Sequence, residues 1–182
     1  MRKPGYEQYR LTFLGWLATV ATSFAFLPAL SEQRCVAIGA LVSAAAVLVG
    51  VGLRLVRTPS IVVLGAQLLT ICELLLVSFG HHLAYAVFPT RETFQGLGRQ
   101  LTAGLDVAQS YAAPAPASVG LLIMVVFFIA TMAALVDFLA VGLGRVPLSG
   151  LPLLALYTVP VAALEDGVPF YGFLPGAVCF VA

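Results

Sequence analysis

Two carboxylates stand inside apolar runs of this 182-residue chain and are its residues best placed to do chemistry: Glu73, in the run Ile61 to Gly80, and Asp137, in the run Val119 to Leu143. A charge at mid-bilayer costs about 2.5–3.5 kcal/mol on insertion scales, so a carboxyl kept there has a task or a partner. Near the middle of its run, Glu73 would serve as a proton-relay or ligand-binding group. Its structural alternative is a hydrogen-bonding residue between helices, with Gln67, Thr70 or Ser78 as partners. Asp137 lies toward the far end of its run, roughly 10 Å in depth from Arg145 at the helical rise per residue. Arg54 and Arg57 fall at the same boundary, so a long guanidinium can snorkel to Asp137 and pair with it, a role in packing and topology.

Other candidate groups carry less. His81 and His82 are adjacent, which on a helix points them about 100° apart and rules out joint ligation of one metal. Cys35, Cys72 and Cys179 show no C-x-x-C spacing and no His at ligand intervals, so no zinc site or disulfide framework is indicated. Cys72 and Cys179 are flanked by Leu, Ile, Val and Phe, where a thiolate is disfavoured, so a Cys-His-Asp catalytic set is rejected. Gly96-Leu97-Gly98 lacks the third glycine of a dinucleotide fingerprint and follows no strand. These residues alone specify no enzyme and imply no cofactor.

The elements that must hold the carboxylates follow from composition. Hydrophobic residues make up 61% of the chain and charged residues 9%, against about 25% charged in soluble domains. Mean hydropathy is +1.05. Several apolar runs match the roughly 30 Å hydrocarbon core, so a water-soluble globule is excluded and the lipid bilayer is the chief partner. Nine Lys+Arg against eight Asp+Glu give a net charge of +1, with no clustered basic surface for nucleic acid.

The pattern predicts an all-α polytopic membrane bundle, a single domain over residues 1–182 with spans at about 11–30, 36–56, 61–80, 119–143 and 148–164. A sixth apolar stretch, 170–182, is too short to cross and is expected to be an incomplete span at the front of a longer protein. The apolar stretch after the basic N-terminus is longer than a signal-peptide core, so it is expected to remain as a span. In the second span Gly39, Ser43, Ala46 and Gly50 form a stripe of small residues, a seam for close helix packing that would serve an intramolecular contact or a dimer equally well. Pro152 and Pro160 predict a kinked or broken fifth span.

Between Pro89 and Ser118 the pattern changes. Phe94, Leu97, Leu101 and Leu105 recur opposite Arg91, Gln95, Arg99, Asp106 and Gln109, as in an amphipathic helix lying in the membrane interface. Gly96, Gly98 and Gly104 weaken it by about 1 kcal/mol each relative to Ala. Tyr111 to Ser118, with Pro114 and Pro116, reads as an extended connector. Counting Lys and Arg on alternate sides puts Arg2, Lys3, Arg10, Arg54, Arg57 and Arg145 against Arg34, Arg91 and Arg99, which predicts a cytoplasmic N-terminus and an outer 89–118 segment. Cys35, in the first outer hairpin, is then expected to react with a membrane-impermeant maleimide.

The stretch Ala134-Leu135-Val136-Asp137-Phe138-Leu139-Ala140-Val141, followed by Leu148-Ser149-Gly150-Leu151-Pro152-Leu153-Leu154-Ala155-Leu156-Tyr157-Thr158-Val159-Pro160, resembles the N-terminal membrane domain of bacterial TgpA-type transglutaminase-like proteins, in an actinobacterial version. Tyr111 to Ala117 and the order of spans and loops support the resemblance, which is strongest from about Phe88 to Leu164. It implies a multi-span anchor in the bacterial cell membrane, preceding a large extracytoplasmic domain whose Cys, His and Asp carry acyl-transfer or thiol-hydrolase chemistry. No such catalytic residue maps onto this sequence. The leading expectation is a non-catalytic anchor whose outer amphipathic segment is a platform for that domain. The alternatives are a small proton-coupled transport or channel subunit using Glu73 and Asp137, or an envelope scaffold, with a homo-oligomer or other envelope proteins as partners.

Overall fold

The computed structural model describes residues 6–27, 34–79, 83–84, 88–89, 91–110, 118–163 and 178. Six α-helices account for nearly all of them: α1 (Tyr6–Ser23), α2 (Arg34–Leu55), α3 (Ser60–Phe79), α4 (Arg91–Ser110), α5 (Val119–Asp137) and α6 (Gly150–Ala163). A two-residue antiparallel bridge pairs Leu83–Ala84 with Phe88–Pro89. The sixth apolar stretch, the histidine pair and the 111–117 connector lie outside the described residues, Val178 excepted. Three helices are long and apolar enough to cross a membrane: α2, α3, and α5 with its continuation to Gly142. Val146–Ala162 is a shorter apolar helix. The first predicted span differs in extent, since α1 begins at Tyr6 and gives way to a 3-10 turn at Phe24–Phe26.

The helix starts and stops follow local chemistry. Ser118 caps α5, its hydroxyl accepting from the Leu121 amide at 3.2 Å, so the helix resumes directly behind the proline-rich connector. After α2 the amide of Thr58 donates to Leu53 and that of Arg57 to Arg54, with Arg57 at φ 62°, a Schellman closure that has arginine where glycine is usual. The helix α6 runs unbroken from Gly150 to Ala163 and contains both prolines, so of the kinked or broken span expected there the break is corrected. Pro152 falls in the first turn, where its missing N–H would be unpaired anyway, and only Pro160 removes an internal bond.

The centre of the bundle is α5. Gly120, Ile123, Val126, Ile129, Ala130, Ala133, Ala134 and Val136 are buried along it, and half of its most apolar stretch is buried, more than in α2 or α3. One core joins Val42 and Ala46 of α2 and Ile71 and Leu75 of α3 to Val126, Ala130 and Ala134. A second, toward the opposite end, joins Phe26, Cys35 and Val36 to Val125, Ile129 and Leu156. Cys35 is therefore buried at 2% exposure in the first turn of α2, and the expectation that it would be open to maleimide is corrected.

All four residues of the predicted seam are buried inside the chain. Gly39 faces Ile129 of α5, Ser43 accepts from the Trp16 indole at 3.1 Å, Ala46 enters the first core and Gly50 faces Gln67 of α3. The stripe thus serves intramolecular contacts with three helices, α1, α3 and α5. At the far end α4 crosses α5: a methyl at Gly104 would lie 2.6 Å from the Gly120 carbonyl carbon, and one at Gly120 would collide with the Gln100 carbonyl oxygen. The glycine read as a helix-weakening residue is the one that permits this crossing.

Candidate functional site

Asp137, the last residue of α5, is buried to 2% exposure. A carboxylate taken from water needs a counter-charge and a donor for each lone pair it exposes to the protein. Three other helices supply them. From α2, Arg54 forks onto both oxygens, its Nη1 donating to Oδ1 at 3.0 Å and its Nη2 to Oδ2 at 2.7 Å. From α3, Gln67 Nε2 donates to Oδ2 at 2.7 Å, and from α1, Thr12 Oγ1 donates to Oδ1 at 3.1 Å. Bidentate, charge-assisted bonds of this kind are the strong and orienting ones.

Each donor is placed by backbone features nearby. Arg54 lies in the last turn of α2, 13% exposed, so its stem runs along the bundle while its head reaches inward. Gln67 is fully buried and lies against Gly50, where a methyl would collide with its amide nitrogen. Gly15 of α1 abuts Val136, with 3.0 Å left between a methyl there and Val136 Cγ1, which brings Thr12 one turn away up to the carboxylate. Beyond Asp137 the backbone widens into a π-helical turn, Phe138–Gly142. Its Gly142 carbonyl accepts from Ser60 Oγ at 3.0 Å, tying the start of α3 to the end of α5. Single π turns inside helices recur where a side chain must be aimed at a site.

Glu73 is not part of this cluster. Its side chain is exposed on the outside of α3, and two of its three expected partners are engaged elsewhere: Gln67 with Asp137, and Thr70 with the Ala66 carbonyl at 2.9 Å. Six residues at 100° each put Gln67 and Glu73 about 120° apart around the helix, so they serve different faces. Among the described residues no polar path joins the two carboxylates. Nor do three His, Cys, Asp or Glu residues come together among them.

Thr12 and Gln67 are the members of the cluster that reading the sequence did not assign to Asp137. The available signal was Gln67 itself, an uncharged amide inside a 20-residue apolar helix, as much in need of a partner as an acid is. A groove of about 320 Å³ between α1 and α2 adjoins the cluster at Thr12, lined by Tyr9, Phe13, Trp16 and Val47 among others. Its walls are apolar and it opens outward, as the lipid-facing side of a bundle does.

The cluster also shows how the helices alternate. Thr12 near the start of α1, Arg54 at the end of α2, Gln67 in the first half of α3 and Asp137 at the end of α5 meet at one end, so successive helices run up and down. Arg10, Arg57 and Arg145 belong to this same end, whereas Arg34 begins α2 at the other and Arg99 lies on α4, across the start of α5.

An up-and-down helical membrane bundle, closed at one end by a buried ion pair with its amide and hydroxyl donors, is the class of protein that these features define. The chain matches the family model described as the TgpA N-terminal domain over residues 17–182, and it belongs to that family. No curated protein and no solved structure matches it.

Proposed function

We propose that this chain is the membrane-anchoring N-terminal domain of a transglutaminase-like protein, holding an extracytoplasmic catalytic domain at the surface of the bacterial cell membrane. The family match over residues 17–182 carries the reading. Further support comes from the cluster itself. Every donor around Asp137 is bound to it and four helices are tied at one point, an arrangement suited to rigidity. The arginine-rich end faces the cytoplasm under the positive-inside rule, which places α4 on the outer side, next to the domain it would support. With the N-terminus inside, an outward domain needs an odd number of crossings before it.

Reporter insertions in the full-length protein test this. Alkaline phosphatase inserted after Ser110 and after the last span of the membrane domain should be active, and a fluorescent protein inserted at Gly144 should mature in the cytoplasm. A cytoplasmic signal from the insertion after the last span would overturn the anchoring of an outward catalytic domain.

A further inference from the structure

The groove between α1 and α2 lies where the solvent is lipid. Its α2 wall, from Val51 to Ala44, runs about 6 to 17 Å inside the Leu55 end at the helical rise per residue, and α2 is long and apolar enough to cross a membrane. Its α1 wall, from Tyr9 to Trp16, is about 10 Å of helix, with the Phe13 and Trp16 rings tilted together at 6.1 Å. Thr12 and Trp16 turn their donors inward, to Asp137 and to Ser43, so both offer the groove apolar surface. Tyr9, partly exposed, stands at the end where Arg10 and Arg57 are exposed, as aromatic residues and arginines do at headgroup level.

We infer that this groove holds one acyl chain of an anionic phospholipid, its negative headgroup at Arg10 and its chain passing Thr12 toward the Trp16 ring. The dimensions select the chain. About 320 Å³ spread over about 10 Å leaves a section of about 30 Å², about 6 Å across. A helix with its side chains is about 10–12 Å in diameter, so no helix of this chain or of a second copy enters. A single methylene chain, its carbons in contact at about 3.5–4.0 Å, does, and it restores the dispersion contacts that an empty groove would forfeit. Charge selects the headgroup. Asp137 is already paired with Arg54, so the exposed guanidinium of Arg10 is left for a group outside the cluster, and basic positions between membrane helices are where anionic headgroups bind. Neither the domain that follows the bundle nor the side of the membrane that this end faces enters the inference.

The sequence has one tryptophan and it lines the groove, so bromine on a lipid chain, which quenches indole fluorescence on contact, reads the occupant. The full-length protein is reconstituted in phosphatidylcholine vesicles with phosphatidylglycerol as a minor component. Mid-chain bromines are placed on the phosphatidylglycerol or on an equal fraction of the phosphatidylcholine, and the Trp16 signal is the difference from Trp16→Phe. Brominated phosphatidylglycerol should compete for the site about fivefold better, the fold-change that attraction to one arginine gives. Arg10→Gln should bring that ratio within about twofold, and Ala44→Leu, which fills the groove, should lower quenching by both lipids at least about twofold. Leu69→Trp in the Trp16→Phe protein, on the exposed face of α3, samples lipid with no groove and should be quenched equally by the two. Circular dichroism like that of the unaltered protein checks the fold of each variant. Equal quenching of Trp16 by both lipids would reduce the site to the lipid around any bundle and overturn the inference. No quenching by either would mean that polypeptide covers the groove, and overturns it as well, as does a preference unmoved by Arg10→Gln.

Discussion

Gly50 of α2 lies directly against the side-chain amide of Gln67 of α3, and that contact lets Gln67 reach the Asp137 carboxylate at 2.7 Å. Gly50→Ala should therefore act at a distance, displacing Gln67 and taking one donor from a buried carboxylate, at a cost of about 1–3 kcal/mol. Gly52→Ala on the same helix has open space at the new methyl and should be neutral or stabilising by up to about 1 kcal/mol. Unfolding in graded denaturing detergent checks both. In a Gln67→Ala background the Gly50→Ala cost should shrink, since the group it collides with is gone; an undiminished cost would refute the coupling.

The fork from Arg54 to Asp137 predicts a sharper asymmetry. Asp137→Asn leaves a guanidinium 13% exposed without its counter-charge, and removing one member of a buried pair costs about 3–5 kcal/mol. Folded yield from membranes should fall. Arg54→Gln added to Asp137→Asn should recover part of it, with a coupling of about 0.5–3 kcal/mol. Strictly additive losses would mean that the two side chains, though in contact, do not stabilise each other.

Some of this architecture is legible in the residues alone, and the division is physical. The ends of α2, α3 and α5 fall where charge, proline or glycine interrupts an apolar run, because lipid tolerates no other break. Arg54 and Asp137 can be matched by depth, since both lie near the same membrane boundary. Depth is one coordinate and facing is another. The face of α3 that turns inward is hidden in a helix apolar nearly all round, so Gln67 is equally eligible for Glu73 or Asp137 until neighbouring helices are in place. The stripe from Gly39 to Gly50 reads as a packing seam at once, but its partners do not, because small residues state only that something comes close. Cys35, in the first outer hairpin, reads as accessible, and Ile129 and Leu156, distant in sequence, belong to the core that buries it.

The crossing of α4 over α5 predicts opposite outcomes for Gly120 of α5 and for Gly96 and Gly98 of α4. Gly120→Ala would drive its methyl into the Gln100 carbonyl oxygen, so α4 should lift away and its amides should exchange with solvent at least about tenfold faster, a loss of roughly 1.4 kcal/mol in local stability. Gly96→Ala and Gly98→Ala meet nothing within 4 Å and should slow exchange in α4, each helix glycine replaced being worth about 0.5–1 kcal/mol. Hydrogen exchange in detergent micelles measures all three. Equal behaviour at Gly96 and Gly120 would mean that α4 does not rest on α5.

The turn after α2 holds a strained residue at an ordinary-looking position. Arg57 has φ 62°, a left-handed conformation that an L side chain opposes by about 1–2 kcal/mol. The closure nonetheless forms, because the Thr58 and Arg57 amides and the Thr58 hydroxyl satisfy the last carbonyls of α2. Gly144, at the end of the π turn on the same side, takes the equivalent conformation at φ 65° without that penalty. Arg57→Gly should relieve the strain, part of the gain being offset by the greater freedom of glycine in the unfolded chain, for a net stabilisation of about 0.5–1 kcal/mol. Arg57→Ala removes the same charge and keeps the strain, so the difference between the two variants isolates the backbone effect. Retention of arginine despite that strain fits a positive charge placed to set topology. Both variants should then insert with a slightly larger inverted fraction in a reporter assay, with equal shifts for Gly and Ala, while detergent unfolding separates them. Unequal inversion, or equal stability, would break the assignment of strain to the backbone and topology to the charge.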